Sequence, residues 1–260
     1  MPLKVYQVDA FTDQIFSGNP AAVCPLEKWL PTEVMQTIAL ENNLSETAFF
    51  IPNGSDFEIR WFTPAIEVDL CGHATLATAH VLFKHLNYAS DVIHLNSRSG
   101  PLSVRRSGTQ YILDFPADSI QSIDAIPSLE KALGVSVKEV WQGKDDILAI
   151  VGTEAEVQEL SPDFEAIKQL DSRGVLVSAK GDTVDFVSRC FFPNAGILED
   201  PVTGSAHTTL TPYWTKRLGE KVLKAKQLSE RGGLLHCELI GDRVAIAGSA
   251  VTFMEGSIYL

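Results

Sequence analysis

Long apolar runs are missing from this chain: no stretch of its 260 residues approaches the ~20 consecutive apolar positions that cross a bilayer as a helix. The first thirty residues hold charges and a proline in place of an apolar leader core, so a cytosolic protein is the expectation. Positive charge is also scarce. Lys and Arg number 21 against 33 Asp and Glu, a net charge of -12, and Arg105-Arg106 and Lys216-Arg217 are only pairs. Nucleic acid needs a positive surface and is excluded as a partner. Cysteine is limited to Cys24, Cys71, Cys190 and Cys237, far apart and without a Cys-x-x-Cys pair, so reduced thiols are expected. The six histidines show no zinc-ligand spacing. Neither Gly-x-Gly-x-x-Gly nor Gly-x-x-x-x-Gly-Lys-Ser/Thr is present, which leaves nucleotide binding without a motif. The expectation is therefore an acidic globular protein with no metal and no cofactor.

What the chain does have is alternation. "LKVYQVDAF" (3–11), "FSGNPAAVC" (16–24), "ETAFFIP" and "FEIRWFTP" read as strands, with Gly-Asn-Pro as a turn signal. "PTEVMQTIALEN" (31–42) has helical spacing and Asn42-Asn43 as a stop. "ATLATAHVLFKHL" (74–86) is small and apolar on nearly every face, as in a helix buried on all sides. Strands are expected near 91–96, 101–106 and 110–115, and the polar, proline-bearing 116–128 reads as a boundary. Beyond it come a helix at 128–133, strands near 137–141 and 146–151, and helical stretches over 154–170. Strands near 173–178 and 184–191, a helix and four strand-like runs from 223 onward complete the chain. Two domains follow, 1–115 and 116–260, with the last residues left free to pack back on the first.

The order of elements repeats. "DLCGHATL" (69–76) and "DPVTGSAH" (200–207) each set a Gly-x-Ala before a helix-like stretch, 204 minus 72 giving an offset of 132 that also pairs Glu67 with Glu199 and Ala74 with Ala206. The Phe-x-Pro flanks align only if three residues are inserted in the second copy. Pro212 has to bend the second helix or make it start late.

A Gly-x-Ala at a helix start lets backbone approach a ligand, and first-turn N–H groups favour an anion; close helix packing explains the same residues. Gly72, Ala74, Gly204 and Ala206 are thus candidates to hold a carboxylate. Glu46 stands beside Thr47, Ala48, Phe49 and Phe50, where partial loss of hydration favours a group that trades protons, though a solvated glutamate at a strand start, or one capping Ser45, is the stronger reading of these residues alone. His73 at a helix start is expected to stay neutral, as a proton relay or as a structural residue. Asp200 caps a turn or acts as a base. Cys71 adjoins a helix start, where thiolates form, yet its counterpart is Thr203, so a small buried residue is the stronger reading. Arg231, in "SERGGLL", belongs to a hairpin turn or contacts an anionic substrate.

Taken together, "VDAFT", "FSGNPAAV", "LSETAFF", "FTPAIEVDLCGHATLA", "LDFPA" and "EDPVTGSAH" resemble the phenazine-biosynthesis PhzF-like isomerase family, in family order through most of the chain. The resemblance implies an α+β fold like that of diaminopimelate epimerase: two similar domains, each a barrel-like sheet wrapped around a central helix, with the active site in the cleft between them. It implies a cofactor-free proton shift, as the phenazine enzyme performs on trans-2,3-dihydro-3-hydroxyanthranilate. The family's glutamate, histidine, aspartate and serine fall on Glu46, His73, Asp200 and Ser205. By that likeness Glu46 abstracts and redelivers the proton, the other three position the substrate, and a homodimer is expected.

Overall fold

Alternating and β-branched segments dominate both halves, and helices appear only where small or 3.6-periodic residues interrupt them. The computed structural model describes residues 2–260. Among them β1 (Leu3–Ala10), β2 (Asn19–Pro25), α1 (Thr32–Asn42), β3 (Glu46–Asn53), β4 (Asp56–Phe62) and β5 (Glu67–Val68) lead to α2 (Gly72–Lys84). Next come β6 (Val92–Ser97), β7 (Gly100–Ser107), β8 (Gln110–Pro116), β9 (Gln121–Ile123), α3 (Pro127–Leu133), β10 (Glu139–Gln142) and β11 (Asp146–Ile150). Short helices α4 (Glu154–Gln158) and α5 (Phe164–Ile167) precede β12 (Gly174–Lys180), β13 (Phe186–Phe192), a 3-10 turn at Pro193–Ala195, β14 (Ile197–Asp200) and α6 (Ala206–Leu218). The chain closes with β15 (Val222–Gln227), β16 (Gly233–Ile240), β17 (Arg243–Gly248) and β18 (Ala250–Ile258). No helix among the described residues is long and apolar enough to cross a membrane.

Two units divide the chain, Met1–Asp114 with Ala247–Leu260, and Phe115–Ile246. The C-terminal strand β18 runs antiparallel to β1, so it belongs to the first unit. The segment read as a boundary contains β9, which pairs with β10 and opens the second. Three residues between two prolines are too few for alternation to reveal as a strand.

Within each unit the pairings follow one scheme. In the first, β1–β2 is antiparallel, β2–β3 parallel, β3–β4 and β4–β5 antiparallel, β4–β6 parallel and β6–β7 antiparallel. In the second, β10–β11, β11–β12, β12–β13, β13–β14, β13–β15 and β15–β16 repeat that series in the same order and sense. Trp61 opposes Val68 as Cys190 opposes Asp200, an offset of 129 (190 minus 61) before the turn and 132 (200 minus 68) after it. The three inserted residues therefore lie between β13 and β14, where the second unit carries its 3-10 turn.

An ion pair marks the repeat. Arg60 grips both oxygens of Glu67 (2.6 and 2.7 Å), and Arg189 grips both oxygens of Glu199 (2.7 and 2.8 Å). Each guanidinium also lies over a ring two residues on, 5.2 Å from Phe62 and from Phe191. Forked, partly buried pairs of this kind fix geometry more firmly than exposed ones.

The central helices differ. Twelve of the 13 residues of α2, Gly72 to Phe83, are buried, and the helix packs on β1, β2, β3, β7 and β18. Ala, Thr and Gly leave room for strands all round it, which is why its sequence lacks a polar face. In α6, packed on β15 and β16, Pro212 has no N–H for the Thr208 carbonyl. That oxygen instead accepts from the Asp118 N–H (3.0 Å). The helix starts at Ala206, two residues beyond Gly204, the counterpart of the α2 start at Gly72.

A second layer covers the sheets. Met35 and Ile38 of α1 pack with Val5, Ala22, Phe49 and Phe62 in the first unit. Leu129 and Leu133 of α3 pack with Ile147, Val175, Val187 and Phe191 in the second.

Candidate functional site

In the first unit, β3 starts at Glu46 and α2 starts beside it, because the tight β4–β5 turn brings Cys71 and Gly72 back to the strand ends. Glu46, Cys71 and His73 are all buried, with ligand-type atoms within 4.8 Å of one another. His73 Nε2 lies 3.1 Å from Glu46 Oε2. The direction of that N–H misses the oxygen, so Oε2 is buried without a hydrogen-bond donor. A buried carboxylate oxygen left this way costs stability and is retained where chemistry uses it.

Asn19 holds the ring from the other side, its Nδ2 lying 3.1 Å from His73 Nδ1: the amide nitrogen donates to a neutral ring, and the amide turned over accepts from Nδ1–H of the imidazolium. A neutral His73 therefore carries its proton on Nε2, facing Glu46. Asn19 is itself fully buried at the first position of β2, delivered there by Gly18, whose φ of +68° suits glycine and where a Cβ would strike the Ala10 carbonyl. In sequence, Gly-Asn-Pro reads only as a turn. An amide carries no charge pattern, and the one signal available was a polar residue heading the apolar run "PAAVC".

The expectation of a neutral His73 is corrected. Burial works against the imidazolium, but Cys71 first and then the negative charge of Glu46 beside it prevail and hold the pKa well above the usual histidine value. The helix dipole acts in the opposite sense and loses to a full charge in contact. Cys71 Sγ lies 3.6 Å from His73 Nδ1. Burial first, then the Glu46 charge, pushes its thiol up, so it stays protonated at neutral pH and is not the thiolate its place before α2 suggested. Gly72 and Ala74 are buried in the first turn of α2, and no side chain caps that helix.

The second unit places Asp200, buried, at the end of β14, accepting from Thr203 Oγ1 (2.6 Å). Gln227, fully buried at the end of β15, holds the same loop: its Nε2–H donates to the Asp200 carbonyl (2.7 Å), and its Oε1 accepts from the Thr203 N–H (2.8 Å). Ser229 Oγ donates to the Pro201 carbonyl (2.7 Å) and accepts from the Gly232 N–H (3.1 Å), which ties the turn containing Arg231 to this loop. Nothing in the sequence singled out Gln227, the last inward-facing position of an alternating strand. Asp200 thus takes part in a turn, as the capping reading had it, while remaining a buried acid.

Ser205 sits just ahead of α6 with helical backbone angles and makes no capping hydrogen bond; Gly204 and Ala206 flank it, both buried. His207, fully buried, donates from Nδ1 to the Thr203 carbonyl (2.8 Å), leaving Nε2 buried without a partner. Burial holds its pKa down at about 4, so the ring is neutral. Glu46, Cys71, His73 and Asn19 therefore form one group within the first unit, and Asp200, Thr203, Gln227 and His207 another within the second, with Ser205 next to it in the chain.

Residues 8–256 match the model of the phenazine biosynthesis-like PhzC-PhzF family. A protein of Pseudomonas aeruginosa named an uncharacterized isomerase is 52% identical over 260 residues, all of both chains. The crystal structure of a phenazine biosynthesis protein, PhzF family, from Enterococcus faecalis superposes with a TM-score of 0.98 at 52% identity over the whole of both chains. A probable proline racemase from Agrobacterium radiobacter, 11% identical, superposes with a TM-score of 0.66 over 99% of this chain and 93% of its own, a likeness of fold alone. The α+β fold is that of the epimerases and racemases, and the chain belongs to the phenazine biosynthesis-like family.

Proposed function

We propose that this protein is a cofactor-independent isomerase that shifts a proton, and with it a double bond, within a small carboxylate substrate. Glu46 is the group that moves the proton. The observation that carries this reading is the buried Glu46 Oε2, beside His73 yet without a hydrogen-bond donor. In the forward direction that carboxylate accepts a proton from a substrate carbon next to an unsaturated system, and the electron pair left behind moves into it. The resulting carboxylic acid then returns the proton to a different carbon, so Glu46 ends as it began. Positive charge on His73 offsets the charge developing on the substrate as the proton leaves. First-turn N–H groups at Gly72 and His73 take a substrate carboxylate, that of Ala74 bonding to the Cys71 sulfur. Asp200 and Ser205, by the family likeness, hold the remainder of the substrate. The Cys71-dependent alternative has less support, because burial holds that thiol protonated and Thr203 occupies the matching position.

The test begins with small carboxylates, trans-2,3-dihydro-3-hydroxyanthranilate among them, screened by thermal shift. Any binder is then incubated with the protein in deuterium oxide. Deuterium should enter the substrate or product with the native chain and not with Glu46→Gln, which still binds; exchange retained in that variant removes Glu46 from its role.

A further inference from the structure

Cys71 and His73 have no zinc-ligand spacing in the sequence, but the fold adds Glu46 from β3 beside the start of α2. The three offer a thiol, an imidazole and a carboxylate, all buried and within 4.8 Å of one another. A tetrahedral zinc ion bonded at about 2.3 Å to sulfur and about 2.0–2.2 Å to nitrogen and oxygen separates its ligand atoms by roughly 3.3–3.6 Å. Here Nε2 and Oε2 are 3.1 Å apart, and Sγ is 4.0 Å from Nε2 and 3.6 Å from Nδ1. Sγ and Oε2 are no more than 4.8 Å apart, so side-chain rotations that move the ligand atoms by up to about 1 Å bring the three to that geometry. The Glu46 oxygen that would coordinate already lacks a hydrogen-bond donor, so binding a cation there breaks no hydrogen bond at that atom.

We propose that Glu46, Cys71 and His73 form an inhibitory site for a borderline-soft divalent cation of the zinc type, which binds in competition with the substrate. The ligand set selects against magnesium and calcium, which take oxygen ligands. Coordination replaces the Cys71 S–H bond with a sulfur–metal bond and releases that proton, and the Nε2 proton, to solvent. Asn19 accommodates the change by turning its amide so that the oxygen accepts from Nδ1–H, the arrangement that metal-bound histidines commonly have. Three protein ligands leave one coordination position for water. Inhibition follows because the metal occupies the oxygen that has to receive the substrate proton, and this consequence rests on the role proposed above for Glu46. Binding itself does not.

Cobalt(II) titrated into the full chain without substrate tests the site, since a cysteine thiolate on cobalt gives a charge-transfer absorption. The expected result is one equivalent bound with that absorption, displaced by zinc, and absent in Cys71→Ala. Glu46→Gln and His73→Gln should each weaken binding at least tenfold, with thermal melting confirming that the variants fold. If Cys71→Ala does not fold, the other two variants carry the test. No absorption in the native chain, absorption surviving Cys71→Ala, or affinity unchanged in Glu46→Gln and His73→Gln each overturns the proposal. In the exchange assay, zinc should lower activity of the native chain at least tenfold and a chelator restore it. Exchange that persists in Glu46→Gln sinks the proton-transfer role and leaves the cobalt result to stand by itself.

Discussion

The two units share a pairing scheme and an Arg–Glu clamp, yet where the first carries its carboxylate the second has no room for one. Register makes the counterparts explicit: Thr47 opposes Phe62 as Val175 opposes Phe191, so Glu46 corresponds to Gly174. A Cβ on Gly174 would collide with the Phe192 ring and the Phe191 carbonyl. Cys71 likewise answers to Thr203, His73 to Ser205 and Val68 to Asp200. Two copies of a scaffold have thus kept what holds strands and helix together and diverged at the ends of those strands. The clamp is the property of the repeat, while proton transfer is assigned to one copy.

The largest effect on stability should come from breaking the clamps unequally. Arg189→Met leaves the partly buried Glu199 without its partner, at a cost of about 3–5 kcal/mol, whereas in Arg60→Met Glu67 keeps Arg98 at 3.0 Å and the loss is smaller. Arg189→Met should be the worse, because Arg189 also donates to the carbonyls of Val157, Gln158 and Leu160. Urea denaturation of the two variants orders them.

Acid sharpens the comparison next, since each unit buries one neutral histidine: His80 with its pKa held down at about 3 and His207 at about 4, burial being the main cause in both. Folded values below the unfolded value of about 6.5 mean that the unfolded chain takes up protons first. Their contribution to stability is whole above pH ~6.5 and falls as pH drops from there towards 4 and 3. At about pH 5 the loss is on the order of 2 kcal/mol for each histidine. His73, shifted upward, works in the opposite sense, so the cleaner readout is His207→Gln, in which the fall in urea midpoint between about pH 7.5 and 5 should shrink.

Asn19→Leu comes third: it removes the hydrogen bond that sets the His73 ring and should lower the maximal exchange rate about tenfold, ~1.4 kcal/mol, with binding little changed. A shifted pH–rate profile would separate positioning from mere destabilisation. Smallest is Pro212→Ala, which offers the Thr208 carbonyl a helical donor in competition with Asp118 and should move stability by less than about 1 kcal/mol, read by thermal melting.

Much of this architecture was visible in the alternation of β1 to β4 and in the all-round apolar surface of α2. The Gly-x-Ala pair exposed the repeat. Its full extent was hidden by the three residues between β13 and β14, which shift Arg189 out of line with Arg60. Sequence proximity says nothing about which sheet edge a terminal strand meets, so the second domain was drawn to 260 with only its last residues left free to pack back on the first, and 247–260 lie in the first unit. At the site, Glu46, His73 and Asp200 stood out through motif likeness, whereas Asn19 and Gln227 act through uncharged amides that leave no periodic or charge signature. His73 was misjudged because two neighbours raise its pKa against the dipole, Cys71 and then Glu46, the latter 27 positions away (73 minus 46) on β3.

The division of labour between copies is tested most directly by Glu46→Gln and Asp200→Asn side by side, in deuterium exchange on a substrate that the thermal-shift screen identifies. Glu46→Gln should lose the maximal exchange rate by about a thousandfold while binding persists, and Asp200→Asn should raise KM and keep exchange at saturation. Exchange that survives Glu46→Gln and disappears in Asp200→Asn would place the chemistry in the second copy and contradict that division of labour.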